Sequence, residues 1–192
     1  MPPPRIIGIT GNANSGKDSI ALVFKEHGYT HRAFAWPIRD FVSEVNPIVG
    51  YRGSVPLHFN AVIGEHGYDV AKVMYPEIRR VMVSIGQNAK KHFYNDIWMD
   101  KTLPLSSKTS TEFVVVSDVR YLDEEERIRA VGGIIIAVLR PGVGPANDHE
   151  KMYIPLITER ADVHVVNSGS LDTLKFDVNT LVEKWNSDLI GY

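Results

Sequence analysis

The chain has 192 residues, a formal net charge of −2, 44% hydrophobic and 23% charged residues, and no cysteine. This composition fits one globular domain, or one domain with an inserted lobe, and excludes disulfides and thiolate metal sites. The charge gives no electrostatic footprint for nucleic acid, and no apolar run reaches the roughly 18 residues of a membrane span. Met-Pro-Pro-Pro-Arg leads into the first strand without a secretory pattern, so a cytoplasmic protein is expected.

The elements alternate between strand and helix patterns. Residues 6–9 (Ile-Ile-Gly-Ile) read as a short buried strand, and 18–27 carry apolar residues at helical spacing. Gly28 stops that helix, 30–34 form a second strand, and Pro37 opens a helix through Val45. Residues 46–75, rich in Gly and Pro, read as irregular apart from a short helix at 59–66. Helices are expected at 77–93 and 95–103, and a polar loop at 106–111. Residues 113–117 give the clearest buried strand, with Asp118 standing at its end. A charged helix at 123–131 ends at Gly132-Gly133, and 134–139 form another buried strand. Residues 140–160 read as a second irregular segment. A short strand at 163–166 and a helix at 171–185, N-capped by Ser170, complete the chain. The alternation predicts an α/β fold, a parallel sheet flanked by helices.

Between the first strand and the first helix, Gly11-Asn12-Ala13-Asn14-Ser15-Gly16-Lys17 spell G-x-x-x-x-G-K. Such a loop wraps backbone N–H groups around a polyphosphate, aims a helix N-terminus at it, and supplies a lysine to its oxygens. Asp18 stands where Ser or Thr normally follows the lysine, with Ser19 next. A carboxylate is a hard oxygen donor, so Asp18 is a candidate Mg²⁺ ligand, directly or through water, with Ser19 the alternative hydroxyl. Asp118, at the carboxyl end of a strand, has the position of the second metal-linked carboxylate. Arg120, two residues on, is a candidate phosphate contact because its planar fork matches phosphate oxygens.

Arg39, Arg79 and Arg80 are further anion-binding candidates. Adjacent on one helix, Arg79 and Arg80 diverge by about 100°, so one of the two is expected to be solvated or salt-bridged. Trp36, Tyr51 and Trp98 are aromatic residues able to stack on a base, although core packing is the commoner use. Glu124-Glu-Glu126 reads as a solvated helix face.

Several segments together resemble the bacteriophage deoxynucleoside monophosphate kinases, a branch of the P-loop nucleotide kinases. Ser15-Gly-Lys-Asp-Ser19 resembles the S-G-K-D loop of that group, and Phe34-Ala-Trp-Pro-Ile-Arg39 its F-A-x-P-L-[KR] segment. Arg79-x-x-Met82-x-x-x-Gly86, followed by Asp96-Ile-Trp98, resembles R-x-x-L-Q-x-x-G-T and the D-x-W after it. Asp118-Val-Arg-Tyr-Leu-Asp-Glu124 through Arg140-Pro141 resembles D-V-R-F-x-N-E…G-G…R-P, and Val165-Val-Asn-Ser-Gly169 the closing I-x-N-x-G. Val83 and Gln87 depart from the Gln and Thr of the pattern, Lys91 stands where an Arg is common, and D-x-H-x-S-E is compressed to Asp148-His149-Glu150.

The resemblance implies a three-layer P-loop kinase domain over 1–192, with 36–104 a helical substrate lobe and 140–160 a lid or nucleotide-contact segment. It implies ATP and Mg²⁺ at residues 11–19 with Arg140 as a further nucleotide contact. A deoxynucleoside monophosphate would be held by Arg39, Arg79, Arg80 and Trp36. Lys17, Arg120 and Asp118 would support transfer, and His149 is a nucleotide-contact candidate. A homodimer is left open, and the cytoplasm would be the host's if the chain is phage-encoded. The alternatives are a kinase of another phosphorylated acceptor, such as phosphomevalonate or dephospho-coenzyme A, and a non-catalytic nucleotide-binding switch.

Overall fold

The computed structural model describes residues 3–103 and 111–187; all but the last residue of the loop expected at 106–111 lie outside them. The elements in chain order are β1 (Ile6–Thr10), α1 (Lys17–Glu26), β2 (Thr30–Arg32), α2 (Ala35–Val45), β3 (Ile48–Arg52), β4 (Val55–His58), α3 (Phe59–His66) and α4 (Tyr68–Met74). They continue with α5 (Pro76–His92), α6 (Ile97–Thr102), β5 (Val114–Val119), α7 (Leu122–Ala130), β6 (Ile134–Leu139), α8 (Asp148–Glu159), β7 (Val163–Val166) and α9 (Leu171–Ser187). The chain divides into two compact units, Phe34–Lys101 and the remainder.

The first unit is built on a five-stranded sheet in the order β2-β5-β1-β6-β7, parallel throughout. Every side chain of β1 is buried, as expected of a central strand covered on both faces. Ile7 and Ile9 join Ile20 and Phe24 of α1, and Leu174, Val178 and Val182 of α9, in one apolar cluster. On the opposite face α7 lies so close that a Cβ on Gly8 would fall 2.5 Å from Ile128 Cδ1. The strand order reverses beside β1, which places the carboxyl ends of β1, β5 and β6 around the crevice where α/β sheets bind ligands.

Two expectations fail here. Residues 140–160 are not irregular: α8 takes up twelve of them. Asn147 caps it, its Oδ1 accepting from Glu150 N at 3.0 Å, and Ile154 and Ile157 are buried; these outweigh Pro155 inside the helix. Asp118 does not follow its strand but lies within it, because β5 runs on to Val119. Gly8 pairs with Val116 but Thr10 with Val119, so β5 carries one extra residue, and Thr10 Oγ1 donates to Val119 O at 3.0 Å. This bulge re-aims the side chains at Ser117 and Asp118.

The second unit packs Val42, Val49, Phe59, Val62, Ala71, Ile78 and Met82 into its own core. Its 46–75 segment is also not irregular. β3 and β4 pair as an antiparallel hairpin closed at Arg52 and Val55, with Gly53 at φ 63° in the turn, and α3 and α4 follow. Of the Gly and Pro residues that suggested irregular chain, Gly50 and Pro56 lie in the hairpin strands, Gly53 in its turn, Gly64 inside α3, and Gly67 between α3 and α4. α5 begins with Pro76 and Glu77 and ends with Lys90, Lys91 and His92, charges that complement its dipole.

Candidate active site

The loop from Gly11 to Gly16 leaves the carboxyl end of β1 and turns into α1. Gly16, immediately before the helix, has φ 106°, a conformation that a side chain strains. A Cβ there would also meet Asn167 Nδ2 at 2.6 Å. Asn167, just past β7, donates from Nδ2 to Ser15 O at 2.8 Å, and Asn12 Nδ2 donates to Val143 O at 3.1 Å. Both ends of the loop are thereby tied to the chain that follows β6 and β7.

Lys17, in the first turn of α1, is buried and folds back over this loop. Its Nζ donates to Gly11 O at 2.8 Å and Asn12 O at 2.6 Å. An ammonium has three donors, so one remains without a partner among the described residues. Burial is the main influence lowering the Lys17 pKa, and Arg120 lowers it further; Glu150, Asp18 and Asp118 oppose this. The loop lysine, both expected carboxylates and the expected arginine therefore share one electrostatic neighbourhood. Asp18 and Ser19 lie in the same helical turn, Asp18 exposed to solvent.

Among the described residues no group of three or more His, Asp or Glu side chains forms a metal cage. The donor set nevertheless fits Mg²⁺, which keeps its waters and takes one or two carboxylates together with substrate phosphates. Beside the loop a cleft of about 280 Å³ is lined by Gly11, Asn12, Ser15, Arg140, Val143 and Ile154, among others. The Ser15 hydroxyl is buried there without a hydrogen-bond partner among the described residues, an acceptor or donor left for a ligand. Arg140 is held at the rim, its Nη1 donating to Asn14 O at 3.2 Å.

The remaining candidates lie in the second unit. The Arg39 guanidinium stands over the rings of Tyr68 (5.2 Å) and Trp36 (5.8 Å), which orients it while leaving its donors open. Arg80 is paired with Glu77, whereas Arg79, one position earlier, has no ion pair or hydrogen bond among the described residues. Both flank a shallow depression on α5 together with Ser84, Gln87 and Asn88. Trp98 is buried and donates from Nε1 to Gly86 O at 3.0 Å, a core role that ties α6 to α5. Tyr51 is exposed on the hairpin.

Sequence reading missed three acidic residues. Glu124 and Glu125 are buried, and only Glu126 of that trio is a solvated helix residue. Glu124 Oε2 accepts from Arg120 N at 2.7 Å and Tyr121 N at 3.1 Å, fixing the turn between Asp118 and α7. Burial, with Asp118 nearby, pushes its carboxyl up to about 8. Glu125 is held by Arg129 and Arg160. Glu150 is buried, and its Oε2 accepts from Ala13 N at 3.1 Å and Ala146 N at 2.9 Å. Those two amides, with Arg120 and Lys17, outweigh its burial and hold it below the usual carboxylate range. The one local sign of this was the N-x-x-E spacing from Asn147 to Glu150. His149 packs with Tyr121 and Tyr153, ring centroids 5.8 and 6.3 Å away.

The model of the deoxynucleotide monophosphate kinase family matches residues 70–178, more than half of the chain, a span that excludes the phosphate loop. A protein of Acanthamoeba polyphaga mimivirus named for this activity is 21% identical over 195 residues, covering 93% of this chain and 96% of that one. The deoxynucleotide monophosphate kinase of Escherichia phage RB69 is 28% identical over 102 residues, covering 50% of this chain and 41% of its own. Among solved structures, the dephospho-CoA kinase of Campylobacter jejuni aligns at TM-score 0.49 and 10% identity, over 94% of this chain and 96% of that one. The shikimate kinase of Aquifex aeolicus aligns at 0.46 and 10%, over 97% and 99%. At these scores the sheet order described above carries the fold. With a family match over more than half its length, the chain belongs to the deoxynucleotide monophosphate kinases.

Proposed function

We propose that the chain transfers the γ-phosphoryl group of ATP to a deoxynucleoside monophosphate, giving the diphosphate. The observation that carries this reading is Lys17: a buried ammonium, pinned on two loop carbonyls, with one donor left over and Asp18, Asp118 and Arg120 within electrostatic range. Family membership favours a deoxynucleoside monophosphate over a phosphomevalonate- or dephospho-coenzyme A-like acceptor, and over a non-catalytic switch.

The acceptor's own phosphate oxygen is an adequate nucleophile, so no general base is required and catalysis is positioning plus charge neutralisation. The loop amides and the α1 N-terminus bind the donor phosphates, and Lys17 and Arg120 compensate the charge on the transferred group. Arg140 and the cleft beside it hold the rest of the nucleotide. Asp18 and Asp118 would hold Mg²⁺, which neutralises phosphate charge when bound. Arg39, oriented by Trp36 and Tyr68, and Arg79, unpaired among the described residues, bind the monophosphate.

A panel of deoxy- and ribonucleoside monophosphates with ATP and Mg²⁺, read by diphosphate formation, tests the reading. Turnover of at least one deoxynucleotide is expected; none would overturn it. Lys17→Ala should reduce turnover by at least ~100-fold with the fold intact by circular dichroism. Retained turnover would remove the loop from the mechanism.

A further inference from the structure

We infer that Glu150 is a positioning residue, a fixed internal anion that holds the phosphate loop and steers the Arg120 guanidinium. The inference rests on Arg120 serving phosphoryl transfer as proposed above. Glu150 stands in the first turn of α8, set there by the Asn147 cap. Its Oε2 is used twice, accepting from Ala13 N of the loop and Ala146 N of the segment before α8. Two amides from separate segments thus hold the carboxylate in place. The second oxygen, Oε1, lies 3.9 Å from Arg120 Nη1.

Arg120 needs such a partner. Its backbone is held by Glu124, but its side chain is about half exposed, and a long exposed arginine samples many rotamers. A buried anion on one side narrows that choice without closing the salt bridge tightly, so the guanidinium stays available to a ligand. Charge is the feature to explain. Two amides could be capped by a neutral glutamine, whereas burying a carboxylate is costly unless cations repay it. Here Arg120 and Lys17 both feel it. Glu150 thus joins three parts of the site that lie far apart in sequence: the loop, the turn after β5 and the start of α8.

The test is a double-mutant cycle of Glu150→Gln and Arg120→Ala, read by kcat and by KM for ATP, with thermal melts of every variant. Glutamine keeps an acceptor for both amides and removes only the charge. The expected result is a fall in kcat of ~10- to 100-fold in Glu150→Gln, the scale of a misplaced catalytic group, with KM for ATP changed less than ~3-fold. That loss should vanish in the Arg120→Ala background. Equal losses in both backgrounds would make Glu150 a structural brace and overturn the inference. A lower KM for ATP in Glu150→Gln would mark the carboxylate as a stand-in that phosphate displaces, and would overturn it too. Wild-type kcat in Arg120→Ala alone would refute the role of Arg120 itself, a separate failure. If Glu150→Gln does not fold, Glu150→Asp takes its place in the cycle; it keeps the charge but withdraws it by one methylene, and its loss must likewise disappear without Arg120.

Discussion

Replacing Asn167 by alanine should loosen the phosphate loop while leaving the sheet standing. The backbone N–H of Asn167 bonds Leu139 O at 2.7 Å, and alanine retains that bond. What is lost is the donation from Nδ2 to Ser15 O at 2.8 Å, in a buried site. Leaving one buried carbonyl without its donor is worth about 1–3 kcal/mol. Taking about 2 kcal/mol, and about 2–4 °C per kcal/mol for a chain of this size, Tm should fall by roughly 4–8 °C. Because the orphaned carbonyl belongs to the loop itself, much of that loss should reappear in ligand binding. Affinity for a non-hydrolysable ATP analogue should drop about tenfold, equivalent to about 1.4 kcal/mol. Asn167→Asp, nearly isosteric but lacking the donor and facing a carbonyl with a carboxylate, should be worse than alanine. Thermal melts and titration calorimetry check both effects. A Tm within about 1 °C of wild type would refute the energetic reasoning, and lost stability with unchanged nucleotide affinity would refute the link to the loop.

Arg79→Ala should raise KM for the monophosphate by at least ~10-fold, the worth of a charge-assisted hydrogen bond. Arg80→Ala should change it less than ~3-fold, because Arg80 is already engaged with Glu77 in an exposed pair; steady-state kinetics that vary each substrate separate the two, and an effect of Arg79 confined to ATP would refute its placement. The raised carboxyl of Glu124, about 8 against the ordinary 4.5, gives a pH signature. Between those values the folded chain keeps a proton that the unfolded chain has released, so this group's contribution is fully present below about 4.5 and is lost as pH rises through about 8. Glu124→Gln, which preserves an acceptor for the Arg120 and Tyr121 amides, should flatten that decline; denaturant melts from pH 5 to 8 with the same slope as wild type would refute the assignment.

Where structure is set by neighbours in sequence, the sequence could be read. β6 and β7 fall on the residues expected because each is a short apolar run with clear stops, Gly133 before the first and Asn167-Ser168-Gly169 after the second. The loop and α1 were legible for the same reason, since G-x-x-x-x-G-K carries its chemistry within seven residues. The hairpin β3–β4 was not, because its Gly and Pro residues signal breaks while the pairing that uses them lies in the partner strand. α8 was hidden by Gly142, Gly144 and Pro145 before it and Pro155 within it, although Asn147 and Glu150 spelled its cap. The burial of Glu124 and Glu125 had no local sign, and Glu150 showed only the N-x-x-E spacing of its cap: Glu150 meets Ala13 across 137 positions, and three adjacent acids look solvated until their backbone and arginine partners are in place.

The extra residue in β5 makes the facing of Asp118 a matter of counting. In a strand, side-chain direction alternates, so losing Ser117 would restore regular pairing between Gly8–Thr10 and Val116–Val119 and change the facing of the Asp118 carboxylate. A one-residue deletion there would keep every functional group of the site in the chain and still disarm it. At this point of the fold, chain length matters as much as residue identity.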